Sequence, residues 1–256
     1  MSNEQSESSA TETRDAEATA SFQLVCLLDV LGFESLLNDL GLAAMEGKYR
    51  ELVAWVREQK GGLDIVPTPD GHVAVGWLEI GNAYFSDSLL FWTQYSKMAL
   101  PSFTHAIAEA ICFGLEAGLP LRGAIAVGEA TLDSASGVFL GKPLVEVART
   151  EKAQKWIGAS FGPSFSEPRF NNGFHLHTIL PYKSQYKDLT SPFATGITVD
   201  WPRRWRETRK SDPRIILRKL DRDPTFSEYY TKSEGFTRFS EENHDWFRRS
   251  GHLGFG

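Results

Sequence analysis

The segment Leu27-Leu28-Asp29-Val30-Leu31-Gly32-Phe33 places one carboxylate near the end of an apolar run that is typical of a buried β-strand. A second segment, Phe85-Ser86-Asp87-Ser88-Leu89, interrupts two β-rich stretches in the way that a hairpin turn does. An unpaired charge in apolar surroundings is costly or loses its proton, so two such aspartates indicate a shared cation. Carboxylate oxygens suit Mg²⁺ or Mn²⁺, which usually bind together with substrate phosphates.

The turn after the first strand has a second possible use. Gly32 allows a tight turn before a helical pattern that starts at Phe33, and the N–H groups of Leu31, Gly32 and Phe33 would then face outward. Such a turn can bind phosphates. Two alternatives stay open, because Asp29 can instead cap the helix that follows and Asp87 can serve only in its turn.

The aspartates belong to an ordered set of four motifs. Asp29 to Phe33 form a turn after a strand, and Asp87 lies in a hairpin. Residues 121–129 read Leu-Arg-Gly-Ala-Ile-Ala-Val-Gly-Glu, and residues 141–151 form a helical pattern that contains Arg149. Over about residues 22–161, this set resembles the class III nucleotidyl cyclases, and most closely the bacterial pyrimidine cyclases of the Pycsar anti-phage defence system.

The resemblance implies a two-metal active site. It implies that Asp29, Asp87 and the main-chain carbonyl of Val30 bind two Mn²⁺ or Mg²⁺ ions, and that Leu31, Gly32 and Phe33 bind the substrate. It also implies that Arg149 stabilises the charge that develops at the α-phosphate. The alternative for Arg149 is an exposed arginine on a charged helix, with Glu146 and Lys152 as its neighbours.

Departures from the purine cyclases point to a pyrimidine substrate. Val145 occupies the position of an asparagine that orients the ribose in purine cyclases, and Ala83 and Val138 replace the polar residues that read a purine base. Tyr49, in the first helix, can shorten the base pocket so that a single-ring base fits best. The alternative is that Tyr49 packs against Val53, four residues along the same helix.

The activity implied is the conversion of UTP to 3′,5′-cyclic UMP and diphosphate by a homodimer with active sites at its interface. The product would be a second messenger in abortive infection, read by a separate effector protein. A cytidylate cyclase and a degenerate cyclase domain that only binds nucleotide are the alternatives. Another two-metal enzyme, such as a diguanylate cyclase or a nucleotidyltransferase, is less consistent with the hairpin, which lacks the Gly-Gly-Asp/Glu-Glu-Phe signature.

The composition limits the other classes of function. The chain has 256 residues and a net charge of −6, which disfavours broad nucleic-acid binding because that normally needs a basic face. No apolar stretch is long enough to span a bilayer and no signal-peptide pattern is present, so we expect no membrane partner and a cytoplasmic location. Cys26 and Cys112 are expected to be buried free thiols.

The sequence predicts three regions. Residues 1–20 are rich in Ser, Thr, Glu and Ala and are predicted to form a disordered tail. Residues 21–162 are predicted to form the cyclase catalytic core, an α+β ferredoxin-like fold in which one long helix covers 33–59. Residues 163–256 are predicted to form an irregular C-terminal extension, for which the sequence indicates no chemistry.

Overall fold

The computed structural model describes residues 21–58, 62–67, 73–96, 99–171 and 178–246. The predicted tail, residues 1–20, lies outside the described residues. Up to residue 161 the elements are β1 (Ser21–Val30), α1 (Phe33–Leu40), α2 (Leu42–Glu58), β2 (Gly62–Pro67), β3 (Val73–Leu78), β4 (Gly81–Phe85), β5 (Ser88–Gln94), α3 (Ala99–Ala117), β6 (Leu121–Asp133), β7 (Val138–Gly141), α4 (Lys142–Lys152) and β8 (Gly158–Phe161). Beyond it are α5 (Pro168–Asn171), β9 (Ile179–Pro181), β10 (Ile197–Val199), α6 (Trp201–Arg209), α7 (Pro213–Leu220) and α8 (Ser227–Glu242), with 3-10 helices at Pro163–Ser166 and Pro224–Phe226.

The central sheet has the order β4-β5-β1-β6-β8-β10-β9, and β7 pairs with β6. The pairs β4–β5, β5–β1 and β1–β6 are antiparallel, whereas β8 runs parallel to β6. Two helices follow β1 and one follows β5, so these four strands and their helices form the βαββαβ unit of a ferredoxin-like fold. The predicted α+β, ferredoxin-like fold is therefore confirmed.

Strand β1 is covered on both faces, which explains its almost continuous apolar sequence. Leu24, Cys26 and Leu28 pack into the main core with α3. On the opposite face, Val25 packs against Val147 of α4. Near the end of β1, Asp29 is half-buried between the buried residues Leu28 and Val30.

The predicted helix over 33–59 is wrong in one respect, because it is divided into α1 and α2. Gly41 has φ 76°, a left-handed conformation that glycine adopts without strain, and its N–H donates to the Leu37 carbonyl at 2.9 Å. The helix therefore ends at Leu40 and a second one begins at Leu42. After α2, the antiparallel strands β2 and β3 form a separate two-stranded sheet.

The C-terminal extension holds more regular structure than its sequence indicated. Its strand β10 pairs with β8, so the sheet continues past residue 162. Trp201 at the start of α6 is fully buried, and its Nε1 donates to the Ile157 carbonyl at 3.1 Å. Asp200 and Asp212 cap α6 and α7 through their side chains. None of the helices in the described part of the chain combines the length and the apolarity needed to cross a bilayer.

Candidate active site

Asp29 lies in a row of polar residues across three neighbouring strands. Its registered partners are Ser88 on β5 and Arg122 on β6, and directly opposed residues of antiparallel strands share one face of the sheet. The Ser88 hydroxyl donates to Oδ1 of Asp29 at 3.1 Å, and Arg122 lies 3.9 Å from Oδ2. Helix α1 begins after Gly32 with no side-chain cap, so the structure does not support the alternative in which Asp29 caps this helix.

Asp87 lies in the tight turn between β4 and β5, next to the end of β1. Its carbonyl accepts a hydrogen bond from the N–H of Val30 at 2.9 Å. The preceding residue, Ser86, has φ 53°, which gives the hairpin its sharp reversal. The structure thus brings together Asp29, Val30 and Asp87, the three residues predicted as metal ligands.

The electrostatics of this corner favour a cation. Burial, the negative charge of Asp87 and that of Glu151, in this order of size, raise the pKa of Asp29 to about 6. The Ser88 hydrogen bond and the Arg122 charge oppose this shift without cancelling it. Two carboxylates and a main-chain carbonyl are oxygen donors that suit a hard divalent ion. Among the described residues, no group of three or more His, Cys, Asp or Glu side chains could hold a metal ion.

The turn after β1 offers two free amides rather than the three expected. Gly32 has φ 70°, as a tight turn at this position requires. The N–H of Leu31 donates to the Pro120 carbonyl at 2.8 Å, so the expectation of an outward-facing amide at Leu31 is wrong. The N–H groups of Gly32 and Phe33 have no backbone acceptor among the described residues. An anion can therefore be bound by these two amides.

Tyr49 lies near Asp87. Its ring stands edge-on to Phe33, with the ring centroids 6.2 Å apart. Burial, followed by the negative charge of Asp87, raises the pKa of the Tyr49 phenol. The hydroxyl is buried without a hydrogen-bond partner in the described part of the chain, which is unusual for a tyrosine in a closed core. Val53 is buried on the same helix, so packing and ligand contact are compatible roles for this helix face.

The structure does not bring Arg149 to the aspartates within the chain. Arg149 is exposed on α4, and its side chain forms no hydrogen bond or ion pair with the described residues. Glu151 of the same helix is buried and pairs with Arg122. Two residues along an α-helix correspond to a rotation of about 200°, so Arg149 points away from the corner that Glu151 faces. Glu146, named above as a helix neighbour of Arg149, accepts a hydrogen bond from the Ser164 N–H at 2.8 Å.

Arg122 is a site residue to which the sequence analysis assigned no role. Its side chain is only 12% exposed, pairs with Glu151 and lies 5.5 Å from the centroid of the Tyr229 ring. It is therefore the cation next to Asp29. The sequence signal was present, because a single arginine interrupts an otherwise apolar strand at residues 121–127. Tyr229 belongs to the C-terminal extension, and no sequence pattern predicted its contact with Arg122.

The three positions that depart from the purine pattern lie on or near the face of the sheet that α4 covers. Ala83 on β4 is half-buried against the small cluster that includes Val147, whereas Val138 and Val145 are exposed. None of these side chains carries a hydrogen-bonding group. The structure therefore places no polar side chain for base recognition at these positions.

We expect Asp29→Asn to raise the stability of the metal-free protein. A carboxyl group whose pKa is raised on folding is stabilising in its protonated form, and this stabilisation is lost as the pH rises through about 6. The variant carries no such charge, so its advantage should be about 1–3 kcal/mol at pH 8 and should vanish near pH 4. Urea unfolding in the presence of a chelator measures the difference. An Asp29→Asn protein that is less stable at pH 8 than the wild type would contradict the electrostatic description of this corner.

No protein-family model and no curated protein matches the chain. Among solved structures, the chain is similar to a class III adenylyl cyclase-like ATP-binding protein from Pseudomonas aeruginosa, with 14% sequence identity and a TM-score of 0.43. The similarity covers 88% of this chain and 44% of that protein, so the chain spans less than half the length of its structural neighbour.

Proposed function

We propose that this protein is a nucleotide cyclase that converts a pyrimidine nucleoside triphosphate, with UTP favoured, to the 3′,5′-cyclic monophosphate and diphosphate. The observation that carries the proposal is the contact between the end of β1 and the β4–β5 turn, which holds Asp29 beside Asp87. The free amides of Gly32 and Phe33 follow directly in the chain. The site thus offers oxygen ligands for a divalent ion next to N–H hydrogen-bond donors for a phosphate.

Each part of the site has a role in this reaction. Asp29, Asp87 and the Val30 carbonyl would hold two divalent ions, Mn²⁺ or Mg²⁺, which when bound would lower the pKa of the ribose 3′-hydroxyl and neutralise charge on the triphosphate. The 3′-oxygen forms a bond to the α-phosphorus, the bond from this phosphorus to the diphosphate breaks, and the hydroxyl proton passes to solvent. The amides of Gly32 and Phe33 bind phosphate oxygens, and Arg122 holds Asp29 in position.

The base would be bound beside Tyr49. This phenol lies near Asp87, and its buried hydroxyl has no hydrogen-bond partner among the described residues. It would shorten the pocket and favour a single-ring base. The side chains of Ala83 and Val138 cannot form a hydrogen bond that would favour the binding of a purine base.

We propose that the enzyme is a homodimer in which Arg149 of the partner subunit completes each site. Arg149 is exposed and unpaired in the described part of the chain, as a residue that acts on another subunit would be in an isolated chain. Exposed apolar side chains occur in the same region, with Leu140 66% and Val145 53% exposed on β7 and α4. They support burial of this face by a second copy of the chain. The cyclic product would act in the cytoplasm as a signal in anti-phage defence, read by a separate effector.

The proposal is tested by incubation with UTP and Mn²⁺, with release of diphosphate and formation of cyclic UMP as the expected result. The matched control is 3′-deoxy-UTP, which binds through the same triphosphate but has no oxygen to attack the α-phosphorus. Diphosphate release from the 3′-deoxy analogue would indicate hydrolysis or nucleotidyl transfer instead of cyclisation.

We expect Tyr49→Ala to relax base discrimination. Removal of the ring lengthens the pocket, so UTP turnover should fall and the ratio of UTP to ATP turnover should fall by about tenfold or more. Competition between the two nucleotides in one reaction measures this ratio directly. Val53→Ala, which removes a side chain from the same helix face, should change stability more than the ratio. An unchanged ratio for Tyr49→Ala would assign Tyr49 to core packing alone.

A further inference from the structure

A cavity of about 280 Å³ lies behind the turn that contains Gly32. It is enclosed by α1, α2, the end of α3 and α7, and it is walled by apolar side chains that include Leu36, Leu115, Ile216 and Phe226. Asp29, Asp87 and Tyr49 do not line it. The cavity is therefore separate from the aspartate pair, and its size is close to that of small-molecule sites.

Tyr230 lines this cavity, and its hydroxyl has no partner among the described residues. Tyr230 of α8 is only 7% exposed, and its hydroxyl forms no hydrogen bond with the described residues. Burial, followed by the negative charges of Asp221 and Asp223, raises the pKa of the Tyr230 phenol, so the hydroxyl stays protonated and can donate. An acceptor inside the cavity would satisfy this group.

The basic side chains at the cavity are not neutralised by carboxylates. Lys48 donates to the Ala117 carbonyl at 2.6 Å, and Arg222 donates to the Lys219 carbonyl at 3.1 Å. None of the three cations, Lys48, Lys219 and Arg222, forms an ion pair with the described residues. They are available to an anionic group.

Three acidic residues also line the cavity, and they do not cancel this positive charge. Glu116 pairs with Arg209, outside the lining. Asp223 accepts from the Ser35 hydroxyl at 2.8 Å, and Asp39 is exposed at the rim. With Glu116 neutralised, three cations face two carboxylates, and the lining retains one net positive charge.

We propose that this cavity is a binding site for a small organic anion with an apolar body. The apolar body would occupy the space between Leu36, Ile216 and Phe226, and the anionic group would lie near Lys219 and Arg222, within reach of the Tyr230 hydroxyl. Because Leu31 and Gly32 also line the cavity, a ligand here would contact the back of the phosphate turn. The site could be occupied without a nucleotide or a metal ion.

A fluorescent anion tests this site on the full chain without nucleotide or metal. We expect 8-anilinonaphthalene-1-sulfonate to bind at one saturable site, and Ile216→Trp, which fills the cavity, to abolish this binding. Ile215→Trp is the matched control, because Ile215 is 66% exposed and does not line the cavity. Equal binding to Ile216→Trp and to the wild type would overturn the proposal.

The charge preference has its own test. Lys219→Gln combined with Arg222→Gln alters only exposed side chains, and it should weaken sulfonate binding by about tenfold. Tyr230→Phe should weaken it several-fold. The uncharged analogue N-phenyl-1-naphthylamine should bind equally to the wild type and to the charge variant. If the substitutions weaken the binding of both dyes equally, or leave the binding of the sulfonate unchanged, the assignment to an anion is overturned. Failure of these tests leaves the cyclase proposal untouched, since neither a nucleotide nor a metal takes part.

Discussion

Asp87→Asn is expected to abolish cyclisation while leaving the protein folded. The Asp87 carboxylate is a proposed ligand of both ions, and loss of several kcal/mol of transition-state stabilisation corresponds to a decrease in kcat of at least about a thousand-fold. The fold should survive because it is the main-chain carbonyl of Asp87 that bonds to the Val30 N–H, and the substitution keeps this carbonyl. The measurement is the rate of cyclic product formation with saturating Mn²⁺, together with a thermal unfolding curve.

Asp133→Asn is the matched control for this prediction. Asp133 is also a turn aspartate after a strand, and its side chain accepts from the N–H groups of Ala135 and Ser136. Its loss should weaken the turn between β6 and β7 without changing the rate of cyclisation. Cyclisation by Asp87→Asn at a near wild-type rate would refute the assignment of Asp87 as a metal ligand.

A mixture of two inactive variants, Asp29→Asn and Arg149→Ala, is expected to regain activity. If Arg149 acts on the partner's site, a mixed dimer contains one site with both substitutions and one site with neither. With equal amounts and random exchange, half of the dimers are mixed and each has one intact site. Activity should therefore return to about a quarter of the wild-type level.

The control for this experiment is a mixture of Asp29→Asn with Asp87→Asn. Both substitutions affect the metal-binding half of the site, so every site in every dimer is damaged and no activity should return. Subunit exchange is verified with differently tagged chains. If exchange occurs and the Asp29→Asn and Arg149→Ala mixture stays inactive, Arg149 does not act across the interface.

Local sequence patterns predicted the elements that hold the site. The apolar run before Asp29 predicted a central strand, and Ser86-Asp87-Ser88 predicted the hairpin that brings Asp87 to Val30. Both signals are local, since they depend on residues adjacent in the chain. The same local reasoning missed the end of α1, because a single glycine inside a helical pattern is often tolerated and the left-handed conformation of Gly41 becomes evident only in the structure.

Long-range contacts could not be predicted from such patterns. The Leu31 N–H donates a hydrogen bond to the carbonyl of Pro120, which is distant in sequence. The sequence therefore predicted one more free amide at the turn than the structure has. Tyr229 lies against Arg122 because α8 folds back onto the core. The extension thus contributes to the site through tertiary contacts, which no single-sequence motif encodes.

We propose that the paired aspartates serve the cyclisation of a pyrimidine nucleotide. The most direct test is one reaction that contains ATP, GTP, CTP and UTP in equal amounts with Mn²⁺, followed by mass analysis of the products. The account predicts a cyclic pyrimidine monophosphate, with cyclic UMP in excess, and an equal amount of diphosphate, both lost with Asp87→Asn. Cyclic AMP or cyclic GMP as the main product would contradict the base assignment, and the absence of any cyclic product from a folded, dimeric protein would contradict the cyclase itself.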